Sequence, residues 1–142
     1  MKARDLMTAH QVWAASETAT ARQVARIMVD HDVGAIPVLD ARGRLEGIVT
    51  DRDLCCKVLA LGRGADTPVR EVMTDNPCAI HAETSLEQIE SLMREHKIRR
   101  LPVVDDENRL QGFVSLADIA RCCNTSDLEH ELAEILETVS AP

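Results

Sequence analysis

The feature that most constrains this chain is an internal duplication. Residues 20–54 align with residues 85–119 at a constant offset of 65, without a gap. Eleven of the 35 aligned pairs are identical, against roughly 2 expected from average composition. The identical pairs are Gln23/Gln88, Met28/Met93, His31/His96, Pro37/Pro102, Val38/Val103, Asp40/Asp105, Arg44/Arg109, Leu45/Leu110, Gly47/Gly112, Val49/Val114 and Asp53/Asp118. A copy this short buries its own apolar face poorly, so the two copies are expected to pack as one pseudo-symmetric module.

Both copies carry the same sequence of local patterns. Thr20 with Gln23, and Ser85 with Gln88, have capping-box spacing ahead of apolar residues at helical intervals. Apolar, β-branched runs then predict strands at 33–39 and 45–49, and at 98–104 and 110–114. A second helix is predicted to begin at Thr50 in one copy and at Ser115 in the other. With a short leading strand, the predicted fold class is α/β (α+β), built from two β-α-β-β-α repeats.

The repeats divide the chain into three predicted regions. The first repeat is assigned to residues 1–64, the second to 65–125, and an acidic C-terminal helix to 126–142. Leu128, Leu132, Ile135 and Val139 form an apolar stripe at helical spacing in this last region. The stripe fits packing onto the module and a dimer contact equally well, and the sequence leaves both open.

Charge and composition exclude several kinds of partner. The formal net charge is −8, and Trp13 and Phe113 are the only aromatic residues, so binding to nucleic acid is not expected. No apolar run approaches the roughly 20 residues that span a bilayer, and no signal-peptide pattern follows Met1. We therefore expect a cytoplasmic protein with no membrane contact.

The five cysteines do not form a standard framework. They occur as Cys55-Cys56, Cys78 and Cys122-Cys123, with no CxxC spacing and an odd count. Reduced thiols without a metal site are expected, although clustered thiolates bind soft metals, which leaves a redox or metal sensor as an alternative. Because the chain shows no P-loop, GxSxG or HExxH motif, we expect no enzymatic activity.

A hydroxyl and a carboxylate recur at the predicted start of each second helix. Thr50 stands three residues before Asp53, and Ser115 stands three residues before Asp118. A carboxylate accepts both hydroxyls of a cis-diol, and a helix start offers free N–H groups to a phosphate, so a nucleotide suits this arrangement. The same spacing also suits a capping box, in which the side chains only stabilise the helix.

Four segments resemble the CBS-domain family in its paired form, the Bateman module. They are residues 34–40 (GAIPVLD), 47–54 (GIVTDRDL), 96–105 (HKIRRLPVVD) and 112–119 (GFVSLADI). The likeness covers about residues 3 to 124, and the chain looks like the stand-alone bacterial members, including those of the hypoxic-response type. It implies a homodimer with an unknown protein target.

The resemblance also implies two clefts between the repeats, each for an adenosine compound such as AMP, ADP, ATP or S-adenosylmethionine. By this resemblance, Asp53 and Asp118 would hold the ribose, and Thr50 and Ser115 would lie beside the phosphates. Arg99 and Arg100 would neutralise phosphate in one copy, whereas Gly34 and Ala35 of the other would lie against the adenine. Since the two motifs are unequal, a structural dimer with vestigial sites is a further alternative.

Overall fold

The computed structural model describes residues 1–10, 12–122 and 133–139. They fall into two compact units, each discontinuous in sequence. The first-repeat unit comprises Trp13–Pro77 and Glu107–Leu110, and the second-repeat unit comprises Met1–Val12, Cys78–Asp106 and Gln111–Pro142. Helices and strands occur in both, which confirms the predicted α+β class.

The elements include, in the predicted order, the helix, the two strands and the second helix of each repeat. They are α1 (Ala3–Leu6), β1 (Ala15–Ser16), α2 (Ala21–His31), β2 (Ala35–Leu39), β3 (Leu45–Thr50), α3 (Asp51–Leu54), β4 (Thr74–Asp75), α4 (Leu86–His96), β5 (Arg100–Val104), β6 (Leu110–Ser115) and α5 (Leu116–Cys122). A π-helical turn, Cys55–Leu59, continues α3, and a 3-10 helix covers Val69–Glu71. Residues 133–139 are also helical.

The first-repeat unit is built on a four-stranded sheet in the order β1-β2-β3-β4. β1 runs parallel to β2, with Ala15 opposite Val38, and the other neighbouring strands are antiparallel. The α2 helix contributes its apolar face to the core, where Val24 is fully buried with Ile36 and Val49.

The second-repeat unit repeats this plan with a shorter sheet. β5 and β6 form a two-stranded hairpin, and an isolated parallel bridge joins Ile80 to Val103. This bridge lies 65 positions after the Ala15–Val38 pair, so it is the counterpart of the β1–β2 pairing. The core centres on Ile89 and Met93 of α4.

The predicted capping boxes are both present. Thr20 Oγ1 accepts from the Gln23 N–H at 3.2 Å, and Gln23 Oε1 accepts from the Thr20 N–H at 2.9 Å. Ser85 and Gln88 make the same two bonds at 3.3 and 3.2 Å. These bonds satisfy N–H groups that the first helical turn leaves free, which fixes where α2 and α4 begin.

The strands after these helices begin two residues later than predicted. Asp32 and Lys97, at the C-terminal caps of α2 and α4, have left-handed backbone conformations, with φ of 51° and 54°. The next N–H groups then bond back into the helix, from Val33 to the Met28 carbonyl and from Ile98 to the Met93 carbonyl, each at 3.1 Å. Because these residues close the helix, β2 and β5 start at Ala35 and Arg100.

The leading segments of the two repeats lie in exchanged positions. Residues 68–75, which precede the second repeat in sequence, pack within the first-repeat unit, where the Val69 N–H donates to the Ala19 carbonyl at 2.9 Å. Residues 1–8 occupy the equivalent place in the second-repeat unit, where the Ala3 N–H donates to the Thr84 carbonyl at 2.8 Å. Residues 5–8 (DLMT) resemble residues 71–74 (EVMT) in sequence, and this likeness corresponds to equivalent backbone pairing of the two leaders.

The described part of the C-terminal region packs on the second-repeat unit. Ile135 is fully buried in its core, and Val139 packs against the same cluster. Leu128, Leu132 and most of the predicted helix lie outside the described residues. In the described parts of the chain, no helix is long and apolar enough to cross a membrane.

Candidate functional site

The strand–helix junction of the first repeat is built by a third capping box. The Thr50 backbone is extended and ends β3, and Thr50 Oγ1 accepts from the Asp53 N–H at 3.1 Å. In return, Asp53 Oδ2 accepts from the Thr50 N–H at 2.9 Å. The Asp53 carboxylate is thereby held at the junction with 15% of its side chain exposed.

The second oxygen of Asp53 faces a lysine on the following turn. Lys57 Nζ lies 3.1 Å from Asp53 Oδ1, and it also donates to the Val72 carbonyl at 3.1 Å. The i, i+4 spacing that permits such a pair is visible in the sequence, although the contact with Val72 is not. Lys57 is thus a charged neighbour of the site that the sequence analysis missed.

Gly34 and Ala35 lie beside this junction. Ala35 opens β2 opposite Thr50, and the Gly34 carbonyl accepts from the Asp51 N–H at 3.0 Å. A Cβ on Gly34 would lie 3.2 Å from Asp51 Oδ2, which is tighter than most real contacts. The structure therefore brings together the four residues predicted for the first repeat, and leaves the Gly34 backbone exposed.

The junction of the second repeat has the same design with a more buried acid. Asp118 Oδ2 accepts from the Ser115 N–H at 2.8 Å and from its hydroxyl at 2.7 Å, while the Asp118 N–H donates to Ser115 Oγ at 3.1 Å. The residue is only 6% exposed. Its other oxygen, Oδ1, pairs with the guanidinium of Arg121, one turn further along α5.

Arg99 and Arg100 are both exposed at the start of β5. The Arg99 carbonyl accepts from the Leu116 N–H at 3.0 Å, so its backbone adjoins the first residue of α5. The Arg100 guanidinium instead lies 5.8 Å from the centre of the Phe113 ring, within range of a cation–π contact. Arg99 is thus placed beside the Ser115–Asp118 junction by its backbone, whereas Arg100 packs on Phe113.

The carboxylates of Asp53 and Asp118 differ in how many acceptor positions they leave for a ligand. An ionised carboxylate offers about four acceptor positions. Within the described residues, Asp53 accepts one N–H and one ammonium donor, whereas Asp118 accepts an N–H, a hydroxyl and a guanidinium. Asp53 therefore has more room to accept ligand hydroxyls.

The cysteines contribute no assembled site in the described part of the chain. Cys55, Cys56 and Cys122 are exposed free thiols, and Cys78 is a half-buried one whose pKa is raised by burial and by Glu95. Cys123 lies outside the described residues. No group of three or more His, Cys, Asp or Glu side chains that could hold a metal ion occurs among the residues described.

The fold and the paired junctions define a tandem-repeat α+β protein in which each repeat presents a carboxylate beside a hydroxyl. The family model of the CBS domain matches residues 3–59 and 69–124, and the chain belongs to this family.

Two curated relatives illustrate how much of the chain is shared. The CBS domain-containing protein YhcV of Bacillus subtilis is 44% identical over 117 residues, which are 82% of this chain and 81% of YhcV. Hypoxic response protein 1 of Mycobacterium tuberculosis is 36% identical over 141 residues, 99% of this chain and 94% of that protein.

Solved structures show the same architecture. The crystal structure of Hypoxic Response Protein I with two coordinated zinc ions has a TM-score of 0.78 and 37% identity, and the match covers 87% of this chain and 99% of that one. CBSX2 in complex with AMP matches with a TM-score of 0.76 and 27% identity over 92% of this chain and 98% of that chain. The CBS domain pair of MJ0100, in complex with 5-methylthioadenosine and S-adenosyl-L-methionine, has a TM-score of 0.75 and 28% identity, covering 86% and 94%.

Proposed function

We propose that this chain is a regulatory module that binds an adenosine-containing ligand and has no catalytic activity of its own. The observation that carries the proposal is the duplicated junction, in which Thr50–Asp53 and Ser115–Asp118 place a carboxylate beside a hydroxyl at equivalent positions. Neighbours of the same fold bound to AMP, 5-methylthioadenosine and S-adenosyl-L-methionine support this ligand class.

The role of each carboxylate is to accept the ribose hydroxyls. Its orientation is fixed in advance by the capping bonds, so little freedom is lost when the ligand binds. Hydrogen bonds to a charged acceptor contribute about 1.5–3 kcal/mol each. Gly34 and Ala35 would offer backbone groups to the adenine, and Arg99 and Arg100 would neutralise phosphate. AMP, ADP, ATP and S-adenosylmethionine are the compounds to test first.

Regulation requires that the ligand bind one conformation better than another, since a ligand with equal affinity for both shifts nothing. We propose that ligand binding changes the shape of a homodimer or its contact with a target protein. Strongly exposed apolar side chains in the first-repeat unit support a self-association surface: Val29 is 73%, Leu59 74% and Leu61 68% exposed. Light scattering on a sizing column, with and without the nucleotide, tests the dimer.

A thermal-shift series with matched ligands tests the ligand class. A ligand that binds only the folded state at a hundred times its Kd stabilises that state by about 2.7 kcal/mol. We expect at least one of AMP, ADP, ATP and S-adenosylmethionine to raise the Tm by several degrees. We also expect its 2′-deoxy analogue to raise the Tm less, because that analogue lacks one hydroxyl of the diol. No shift with any of the four would refute the proposal, and equal shifts with the deoxy analogue would refute the carboxylate–diol contact.

A further inference from the structure

Lys57 joins the candidate site of the first repeat to a different part of the fold. Its ammonium group lies 3.1 Å from Asp53 Oδ1 and donates at 3.1 Å to the carbonyl of Val72. We propose that Lys57 is a positioning residue that couples occupancy at Asp53 to the backbone of residues 69–73. This inference rests on the proposed function, because it assigns a regulatory output to the same site.

The segment that Lys57 contacts is the leader of the second repeat, and it is already fixed at both ends. The Val69 N–H donates to the Ala19 carbonyl at 2.9 Å, and Thr74 pairs with Ile48 of β3. Between these points the chain forms the 3-10 helix Val69–Glu71, and the side chain of Val72 is fully buried. Lys57 supplies a side-chain donor to the middle of this segment.

The position of Lys57 follows from the irregular helix after Asp53. The backbone changes from α-helical to π-helical at Cys55, and Lys57 lies in the π-helical turn. Isolated π-helical turns are frequent at functional sites. An ammonium group has three donors and no acceptor, so it can bond to a carboxylate and a carbonyl at once.

No such connection occurs among the described residues of the second repeat. The residue 65 positions after Lys57 is Cys122, and the carboxylate of Asp118 is paired instead with Arg121. The Arg121 side chain is 68% exposed, and among the described residues no hydrogen bond joins it to the equivalent leader, residues 1–8. Lys57 and Arg121 each neutralise a site carboxylate, but in the described part of the chain only Lys57 also bonds to a leader segment.

Ligand hydroxyls compete with Lys57 for the same carboxylate. A ribose diol that donates to the free acceptor positions of Asp53 shares Oδ1 with the ammonium group, and an additional donor on the same oxygen weakens the Lys57–Asp53 pair. The Lys57–Val72 bond is then less well oriented, and the turn at 69–73 is less well held. Ligand binding at Asp53 is thus expected to lower the protection of backbone amides from hydrogen exchange at residues 69–73. It is expected to raise this protection at residues 50–53.

Amide hydrogen exchange resolved by NMR tests this coupling, with adenosine as the probe because it carries no phosphate for Lys57 to contact. In the wild-type protein, adenosine is expected to slow exchange at residues 50–53 and to speed exchange at residues 69–73 by about fivefold, the equivalent of one net hydrogen bond. In K57M, exchange at 69–73 is expected to be fast without adenosine and unchanged by it. R121M, the matched variant in the other repeat, is expected to leave 69–73 as in wild type.

The outcomes separate this inference from the proposed function. If adenosine, AMP, ADP, ATP and S-adenosylmethionine all fail to slow exchange at residues 50–53 in the wild-type protein, the proposed function fails and the coupling fails with it. Slowed exchange at 50–53 with no response at 69–73 overturns the coupling alone. Unchanged exchange at 69–73 in unliganded K57M also overturns it, and so does a K57M variant that binds adenosine normally but AMP weakly, because Lys57 would then contact phosphate.

Discussion

Gly47 in β3 and Gly112 in β6 lie at equivalent positions, where a leader segment packs against the strand. The leader is residues 68–75 at Gly47 and residues 1–8 at Gly112. A Cβ on Gly47 would lie 2.7 Å from the carbonyl oxygen of Thr74, and a Cβ on Gly112 would lie 2.5 Å from the carbonyl oxygen of Thr8. Both distances are under 3.0 Å, which real Cβ atoms essentially never show. The two glycines therefore let each leader approach the hairpin of its unit.

This relationship predicts the cost of adding one methyl group. A backbone carbonyl oxygen obstructs both positions, and Met73 Sδ also lies 2.6 Å from a Cβ on Gly47. G112A and G47A are therefore each expected to lower the free energy of unfolding by about 1–3 kcal/mol. Urea unfolding measures this change. G64A is the control, since a Cβ there meets no atom within 4 Å, and it is expected to be close to neutral. Wild-type stability in G112A would contradict the close approach of residue 8.

The buried position of Ile135 predicts that the C-terminal region contributes to the core. I135A removes a fully buried side chain and is expected to lower the free energy of unfolding by about 2–5 kcal/mol. L136A is the neighbouring control, because Leu136 is 46% exposed, and it is expected to change the stability by less than about 0.5 kcal/mol. Equal effects of the two variants would show that residues 133–139 do not pack as described.

The local features of the fold were predictable because each depends on a few neighbouring residues. The capping boxes at Thr20 and Ser85 need only their own spacing, and the duplicated strands need only short runs of apolar, β-branched residues. The strand starts were wrong by two residues because Asp32 and Lys97 adopt left-handed conformations, which neither residue type requires.

Long-range pairing was not predictable in the same way. The likeness between residues 5–8 and 71–74 identifies two equivalent leaders, but it does not say which repeat each one joins. For the candidate site, the hydroxyl–carboxylate spacing is evident in the sequence. The contact of Lys57 with Val72, by contrast, depends on the leader exchange and therefore on the whole fold.

The first hairpin turn predicts a stability that depends on pH. The Arg44 N–H, at 2.9 Å from Asp40 Oδ1, lowers the pKa of the Asp40 carboxyl, and the Arg44 guanidinium and the Arg42 N–H act in the same direction. A pKa lowered by folding gives stabilisation that is present above the unfolded pKa, about 4, and is lost as the pH falls through the folded value. D40N is therefore expected to have a lower Tm than wild type at pH 7, with the difference shrinking below about pH 4. A difference that stays constant from pH 7 to pH 3 would contradict this account.

Because Arg99 is exposed beside the Ser115–Asp118 junction, we expect the effect of its removal on binding affinity to depend on the charge of the ligand. If Arg99 neutralises phosphate, R99A is expected to weaken ATP binding about tenfold and to leave adenosine binding unchanged. The ATP effect should diminish at high salt, since exposed charges are screened. Calorimetric titration measures both ligands, with R22A on the exposed surface of α2 as the charge-matched control. An equal loss for adenosine would show that Arg99 acts through the structure and not through phosphate.

The central claim is that Asp53 and Asp118 bind the ribose, and calorimetry on the variants D53N, D118N and the double variant tests it directly. Asparagine keeps the size of the side chain and one acceptor for the capping bond, while Q23A and Q88A control for loss of a capping residue outside the site. Titration with AMP, ADP, ATP and S-adenosylmethionine is expected to show about 10- to 150-fold weaker binding at each altered site, as expected for one charged hydrogen bond. Unchanged affinity of the double variant for whichever of the four binds the wild-type protein would contradict the claim.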